Sequence, residues 1–339
     1  MVGSSYPVDN MKKCDMKYIV GAYATAPSLG SEDKILERSF YEQLIESIPE
    51  IRGLEIPFFG KEIHQFGSDF LLDIIDKNWE NVLSCIPGSM SKLANNPKFG
   101  LASDDENGRA EAIAMHKKAN QALHKMNEYY ERQSVIAVQI ATAPSTPVEY
   151  VSSSADSLLK SMEEILSWDW EGSKIVIEHC DTAVDNIPFE KGFLTIEDEI
   201  KTLIELQGMH NVGITINWAR SAIEGRDTSK PLEHIELALK SNILSGLMFS
   251  GVSDNDIQYG SWKDTHMPFS KNKDVQFFEE NSLLTQEEIS NTLNLVDLDS
   301  VDYLGVKLLS MPIDRSTIDR RVGLNSDAVS ILNKVLGFR

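Results

Sequence analysis

The chain has 339 residues of 42% hydrophobic content, more than the roughly 250 residues that a plain eight-fold α/β barrel needs, and enough to bury a large core. No apolar run approaches the ~20 residues of a membrane span; the longest, such as Val135-Ile136-Ala137-Val138, are strand-sized. The 32 basic and 52 acidic residues give a formal charge of −20, which repels phosphate backbones, so neither nucleic acid nor a membrane is an expected partner.

Residues 1–16 are polar and scattered, without the apolar segment of a signal peptide, and are expected to be a disordered or appended lead-in. From residue 17 onward, short β-rich runs alternate with helical periodicity. A first strand is expected at 17–24, closing on Thr25-Ala26-Pro27, with a helix at 33–48 capped by Ser31. Strand 2 at 52–58 precedes a helix at 68–78, and strand 3 at 81–86 ends on Pro87-Gly88 before a long helix at 105–131. Strand 4 at 134–141 closes on Thr142-Ala143-Pro144 and leads to a helix at 154–168. Strand 5 at 174–179 pairs with a helix at 196–207, and strand 6 at 212–217 with one at 232–241. Strand 7 at 244–250 is followed by a long loop (251–285) and a helix at 286–295; strand 8 at 302–309 precedes a last helix at 327–336.

Strands alternating with helices imply a parallel sheet with right-handed crossovers, and eight units closing on themselves make a (β/α)8 TIM barrel. No GxGxxG or GxxxxGK[ST] loop follows any strand, which removes the usual nucleotide-binding signatures of the open-sheet alternative. The expected organisation is one barrel domain over 17–339. Ala24-Thr25-Ala26-Pro27-Ser28 recurs as Ala141-Thr142-Ala143-Pro144-Ser145, suggesting that two strands meet the top of the barrel in similar ways. Three separated cysteines, Cys14, Cys85 and Cys180, point to a reducing, cytoplasmic compartment rather than a disulfide framework.

In such a barrel the working residues stand at the C-terminal strand ends and in the loops that follow. Glu55 ends strand 2, Glu178 ends strand 5, Asn217 ends strand 6, and Lys307 interrupts the apolar run of strand 8. A charge there is costly to bury unless it is paired or coordinated. Each residue alone can be a structural ion-pair partner, and Glu55 with Lys307 can be that pair; their convergence at one end of four strands favours a site. His179 and Asp181 can simply cap the next loop. In the loop after strand 7, Trp262 and Phe269 can stack on a sugar face, and His266 titrates near neutrality and can move a proton. That loop is long for a compact domain, which favours a lid. Arg109, near a helix start, can hold a carboxylate or phosphate, or can balance Asp104, Asp105 and Glu106 on the surface.

These motifs carry a resemblance. The Gly53-Leu54-Glu55 strand end, Ile177-Glu178-His179 and the Gly-x-x-x-Asp-x-His spacing of Gly260, Asp264 and His266 resemble the xylose-isomerase-like barrels, a superfamily of sugar isomerases, sugar-phosphate isomerases, ketose epimerases and an endonuclease branch. With Asn217-Trp218-Ala219-Arg220-Ser221, they resemble a bacterial and fungal branch of it. The resemblance implies a carbohydrate isomerase or epimerase with Glu178, Lys307, Glu55 and His266 as catalytic candidates. Asn217, Trp218, His179, Arg109, Trp262 and Asp264 are then the candidates for holding a small carbohydrate. Most members bind a divalent metal (Mg, Mn or Zn) through four strand-end ligands. Here Glu178 matches the first, while Asn217, Ser250 and Lys307 stand where the others belong, so the usual ligands are mostly replaced unless His179 or His266 supplies one. The resemblance also allows a homodimer, and the endonuclease branch, which needs metal ligands and a basic surface, fits worst. Without a metal, a glutamate can serve as base and Lys307 can carry the positive charge. Two alternatives stay open: a Schiff-base aldolase or lyase using Lys307, and a non-catalytic sugar-binding barrel.

Overall fold

Eight strands hydrogen-bond in parallel, each to the next in sequence, and the last closes on the first: β1 (Tyr18–Val20), β2 (Ile51–Pro57), β3 (Asn81–Ser84), β4 (Val135–Ile140), β5 (Lys174–Glu178), β6 (Val212–Asn217), β7 (Leu244–Phe249) and β8 (Tyr303–Val306). The computed structural model describes residues 17–337, so the lead-in expected at 1–16 lies outside the described residues. The helices are α1 (Lys34–Ser47), α2 (Ser68–Leu72), α3 (Ile86–Leu93), α4 (Glu106–Tyr130), α5 (Ala155–Leu166), α6 (Ile196–Gln207), α7 (Trp218–Gly225), α8 (Lys230–Lys240), α9 (Gln286–Asn294) and α10 (Ile318–Val335). Among the described residues no helix is long and apolar enough to cross a membrane. Cys85 and Cys180 are buried free thiols.

Strand alternation sorts the side chains into two cores. Outward-facing Val20, Leu54, Leu83, Val138, Ile175, Ile177, Ile214, Leu247 and Val306 join Phe40, Leu44, Leu123 and Leu203 of the helices in one continuous apolar layer. Inside the barrel, Ile19, Val82, Ala137, Val176, Met248 and Tyr303 form a small separate cluster. Above it the inner face turns polar. The Tyr303 hydroxyl and Thr215 Oγ1 are 2.5 Å apart, and Gln139 Nε2 donates to the tyrosine at 3.4 Å. The register then fixes what stands at the mouth: Glu55 pairs with Val82, Glu178 with Thr215 and Asn217 with Met248, so all three face inward. Gly305 also pairs with Met248, and Lys307 follows on the same face.

The differences from the expected elements have local causes. Pro87, read as a terminator, sits in the first turn of α3, where its missing N–H costs nothing. α7 starts directly on the residue after β6, leaving no turn signal to announce it. β1 is shorter than expected because Ala22–Ala24 form a 3-10 turn. α10 begins at Ile318, capped by Thr317, and α1 is capped by Asp33, whose side chain accepts from the Ile35 and Leu36 amides; Ser31 instead accepts from Asp33 N at 3.2 Å. The two echoed segments do leave β1 and β4, but their threonines differ in role. Thr25 Oγ1 donates to the Ala22 carbonyl at 3.0 Å, whereas Thr142 Oγ1 donates to Glu199 at 2.6 Å.

The inner layer leaves little room. A Cβ added at Gly246 would stand 2.4 Å from Tyr303 Cζ and 2.9 Å from Thr215 Oγ1. Gly246→Ala is therefore expected to destabilise the barrel by about 1–3 kcal/mol, the usual cost of overpacking. Urea unfolding checks this, and an unchanged midpoint would contradict the packing described.

Candidate active site

The mouth is built from strand ends, from α7 and from the β7–α9 loop. Lys307, 1% exposed, donates from Nζ to Glu55 Oε1 at 2.6 Å, and Nζ lies 5.3 Å from the Tyr23 ring centroid. Tyr23 OH donates to the same oxygen at 3.3 Å. Glu55 Oε1 is thus taken, while Oε2 is buried with no protein hydrogen-bond partner. Gly21 makes this possible: a Cβ there would come within 2.8 Å of Lys307 Cγ.

Glu178 faces Arg220, with 2.8 Å between Oε1 and Nη1. The contact is close, yet its angles do not make it a hydrogen bond, and both Glu178 oxygens remain unpartnered. Arg220 Nε reaches Asp264 Oδ2 at 3.1 Å, and Lys191 Nζ reaches the same oxygen at 2.5 Å. Three carboxylates and three cations therefore balance in a largely dry cluster. Asn217 Oδ1 accepts from Ser250 Oγ at 2.8 Å, leaving Asn217 Nδ2 free. His266 Nδ1 lies 3.3 Å from Asp264 Oδ1, again without hydrogen-bond alignment.

Burial and charge push these groups apart. Burial raises the Glu55 carboxyl above the usual value, more than the facing Lys307 lowers it. Burial also opposes ionisation of Glu178, but Arg220 and then Lys307 outweigh it and bring that pKa down. Burial disfavours the Lys307 ammonium, yet Glu178 and Glu55 hold it charged. His266 corrects an expectation. Burial first, with Lys307 and Arg220, outweighs the attraction of Asp264 and pushes its pKa down to about 3, so it is neutral near pH 7 rather than titrating there.

Glu55, Glu178, Lys307, Asn217, His266 and Asp264 are thus brought together, and five other expected residues are not. His179 follows inward-facing Glu178 and so faces the helices, with Nδ1 2.7 Å from Glu199 Oε2 and Nε2 3.2 Å from Glu224 Oε2. Burial would lower its pKa, but Glu199 and then Glu224 raise it to about 10. Trp218, by the same alternation, is 1% exposed in the outer apolar core. Trp262 packs beside Arg226, whose guanidinium carbon lies 5.5 Å from the ring centroid, and Phe269 packs on Phe249. Arg109 Nη1 is committed to the Ser103 carbonyl at 2.9 Å. The expected loop-capping role does suit Asp181, whose Oδ2 accepts from the Glu190 and Lys191 amides. The β7–α9 loop is tied down: Gly251 and Met267 pair through their backbones, and the Leu309 amide donates to the His266 carbonyl at 2.7 Å.

Arg220, Lys191 and Tyr23 were not singled out from sequence. The signal for Arg220 was a lone cation in the otherwise small and apolar run Trp218-Ala219-Arg220-Ser221-Ala222-Ile223. Lys191 lies in a loop and Tyr23 in the 3-10 turn after β1, with no comparable mark.

A divalent ion at the mouth would need Glu178 with ligands that are now Asn217, Ser250 and Lys307. The Lys307 ammonium at 2.6 Å from Glu55 and the Arg220 guanidinium at 2.8 Å from Glu178 already compensate the carboxylates' charge and repel a further cation, so these residues do not fit that ion. Among the described residues, the group with metal-ligand spacing is a different one, His179, Glu224 and His234, whose donor atoms lie within 4.8 Å of one another.

A family model described as a domain of unknown function, DUF4862, matches residues 19–324. The uncharacterized protein STM3670 of Salmonella typhimurium is 34% identical over 317 residues, covering 94% of this chain and 97% of its own. Three solved structures share the fold. A IolI protein with a binding zinc atom has a TM-score of 0.59 and 13% identity, over 95% of this chain and 100% of that one. A xylose isomerase domain-containing protein of Salmonella typhimurium has a TM-score of 0.57 and 9% identity, over 96% and 99%. The 3-keto-D-glucoside 4-epimerase of E. coli has a TM-score of 0.54 and 11% identity, over 94% and 99%. At such identities the likeness carries the fold alone: the chain shares with them the closed eight-stranded parallel barrel.

Removing one partner of a buried ion pair strands the other. Lys307→Met is expected to cost about 3–5 kcal/mol, and the double variant Lys307→Met/Glu55→Leu to recover most of it, both read by urea unfolding. A single variant as stable as the parent would contradict the pairing. Burial opposes ionisation of Asp264, but Lys191 and Arg220 hold its pKa well below the ordinary value. A depressed carboxylate stabilises above its unfolded pKa, and that stability is lost as pH falls through the folded value. Below about pH 4 the parent should therefore lose stability more steeply than Asp264→Asn, compared in acid titrations.

Proposed function

The chain belongs to the DUF4862 family, and we propose that its barrel mouth abstracts a proton beside the carbonyl of a small carbohydrate, as in isomerisation or epimerisation. The observation that carries this is the division of labour on Glu55. Oε1 is saturated by Lys307 and Tyr23, while Oε2 is buried with its lone pairs free. A carboxylate in that state, with its pKa raised by burial, is suited to act as a general base.

The reaction develops negative charge on the carbonyl oxygen as the enediolate forms. Lys307 supplies a pre-placed positive charge next to the base, with Arg220 close by through Glu178. Neutral His266 and the free Asn217 Nδ2 are hydrogen-bonding groups for sugar hydroxyls. The charge balance of the mouth, with Arg109 committed elsewhere, favours an unphosphorylated sugar over a sugar phosphate. The Schiff-base alternative needs a neutral Lys307 amine, and the two neighbouring carboxylates work against it.

Incubation with a panel of ketoses, aldoses and keto-glycosides in D2O tests the reading. One of them should exchange its carbon-bound proton beside the carbonyl. Glu55→Gln should slow exchange by 10²–10⁴-fold, the usual contribution of a positioned base. Binding of sugars by calorimetry with no exchange from any of them would favour a non-catalytic barrel, and a borohydride-trapped adduct on Lys307 would favour the aldolase.

A further inference from the structure

On the outer side of β5 a second cluster has no part in the mouth. His179 stands after β5, Glu199 on α6, Glu224 on α7 and His234 on α8. We propose that His179, Glu224 and His234 form a binding site for a divalent transition metal of zinc type. The proposal stands apart from the proton-transfer reading and shares no residue with it.

Each histidine is aimed by a polar partner on its far nitrogen. Glu199 accepts Thr142 Oγ1 on one oxygen at 2.6 Å and faces His179 Nδ1 with the other at 2.7 Å, which turns His179 Nε2 toward Glu224. Ser221 Oγ lies 2.9 Å from His234 Nδ1, which turns His234 Nε2 toward the same carboxylate. Outer-nitrogen anchoring of this kind is how metal-ligating histidines are held.

A second observation points to a missing ligand. His234 is fully buried, and its Nε2 lies 3.2 Å from Glu224 Oε1, yet the contact lacks hydrogen-bond alignment and the nitrogen has no other partner. A buried nitrogen facing an oxygen without a bond is costly. A cation between them satisfies both. A tetrahedral zinc with bonds of about 2.0–2.2 Å sets its ligand atoms about 3.4 Å apart. The donor atoms lie within 4.8 Å of one another, so a small closure suffices. Two imidazoles and one carboxylate suit zinc better than magnesium or calcium, which prefer oxygen.

The charges also close. One dication offsets Glu199 and Glu224, displacing any proton held between His179 and Glu224. Lys230 Nζ lies 3.9 Å from Glu224 Oε1, but it is 30% exposed and has Glu233 at 3.2 Å as another partner. It can withdraw. A bound ion would clamp α7 and α8 to β5, one helical turn from Arg220 and one residue from Glu178.

The test uses the whole chain, stripped with chelator and titrated with Co(II) alone, then with Zn(II). The expected result is one Co(II) per chain with a tetrahedral visible band, displaced by Zn(II), and a higher Tm in Zn(II) than in chelator. His234→Gln and Glu224→Gln should abolish the band, Ser221→Ala should weaken affinity about tenfold, and Lys230→Met should tighten it. His266→Gln at the mouth should leave affinity unchanged. No band in the parent, a band that survives His234→Gln, or loss with His266→Gln would overturn the proposal. Tightening in Lys230→Met stands as support even where the ligand variants fail to fold.

Discussion

An ammonium buried at the top of the barrel constrains nearly everything near it. Taking Lys307 and Glu55 out of water costs several kcal/mol per ion, and only close contact with further charge compensation offsets that. The surroundings match the demand. Gly21 yields space for the lysine stem, Tyr23 shares the Glu55 oxygen, and Glu178 adds a second negative charge. Glu178 in turn requires Arg220, and Arg220 requires Asp264, which the β7–α9 loop brings in. The loop thus carries the acid that completes a charge balance beginning at Lys307.

That balance keeps buried glutamates charged next to side-chain cations at the barrel mouth. Lys307 is a fixed cation beside Glu55, so positive charge at the mouth comes from side chains. The carboxylates differ in setting: Glu55 has one oxygen bonded to Lys307 and one free, while Glu178 faces Arg220 through charge, without a hydrogen bond. The buried network behind β5 follows the same economy of pairs: Thr142, Glu199, His179, Glu224 and His234 each find a neighbour, except at His234 Nε2.

The barrel was legible in the alternation of strands and helices, because the period of each element follows from backbone geometry. Glu55, Glu178, Asn217 and Lys307 were legible for a related reason: a charge or amide at the end of an apolar strand must go somewhere polar. The same alternation, applied one residue further, would have sent His179 and Trp218 outward to the helices. Arg220 was hidden because α7 begins without a turn after β6. Its partner Asp264 was visible only through a motif, since loop geometry has no periodic signal. The proton state of His266 was not legible, because its pKa depends on neighbours that the fold alone assembles.

Nitrogen-15 NMR of the lysine side chains, at pH 7 and at reduced temperature, addresses the Lys307–Glu55 pair directly. The account predicts one slowly exchanging ammonium resonance, assigned by its loss in Lys307→Met and shifted toward the free-lysine position in Glu55→Gln. A neutral amine signal, or an ammonium that exchanges as fast as surface lysines and ignores Glu55→Gln, would contradict it.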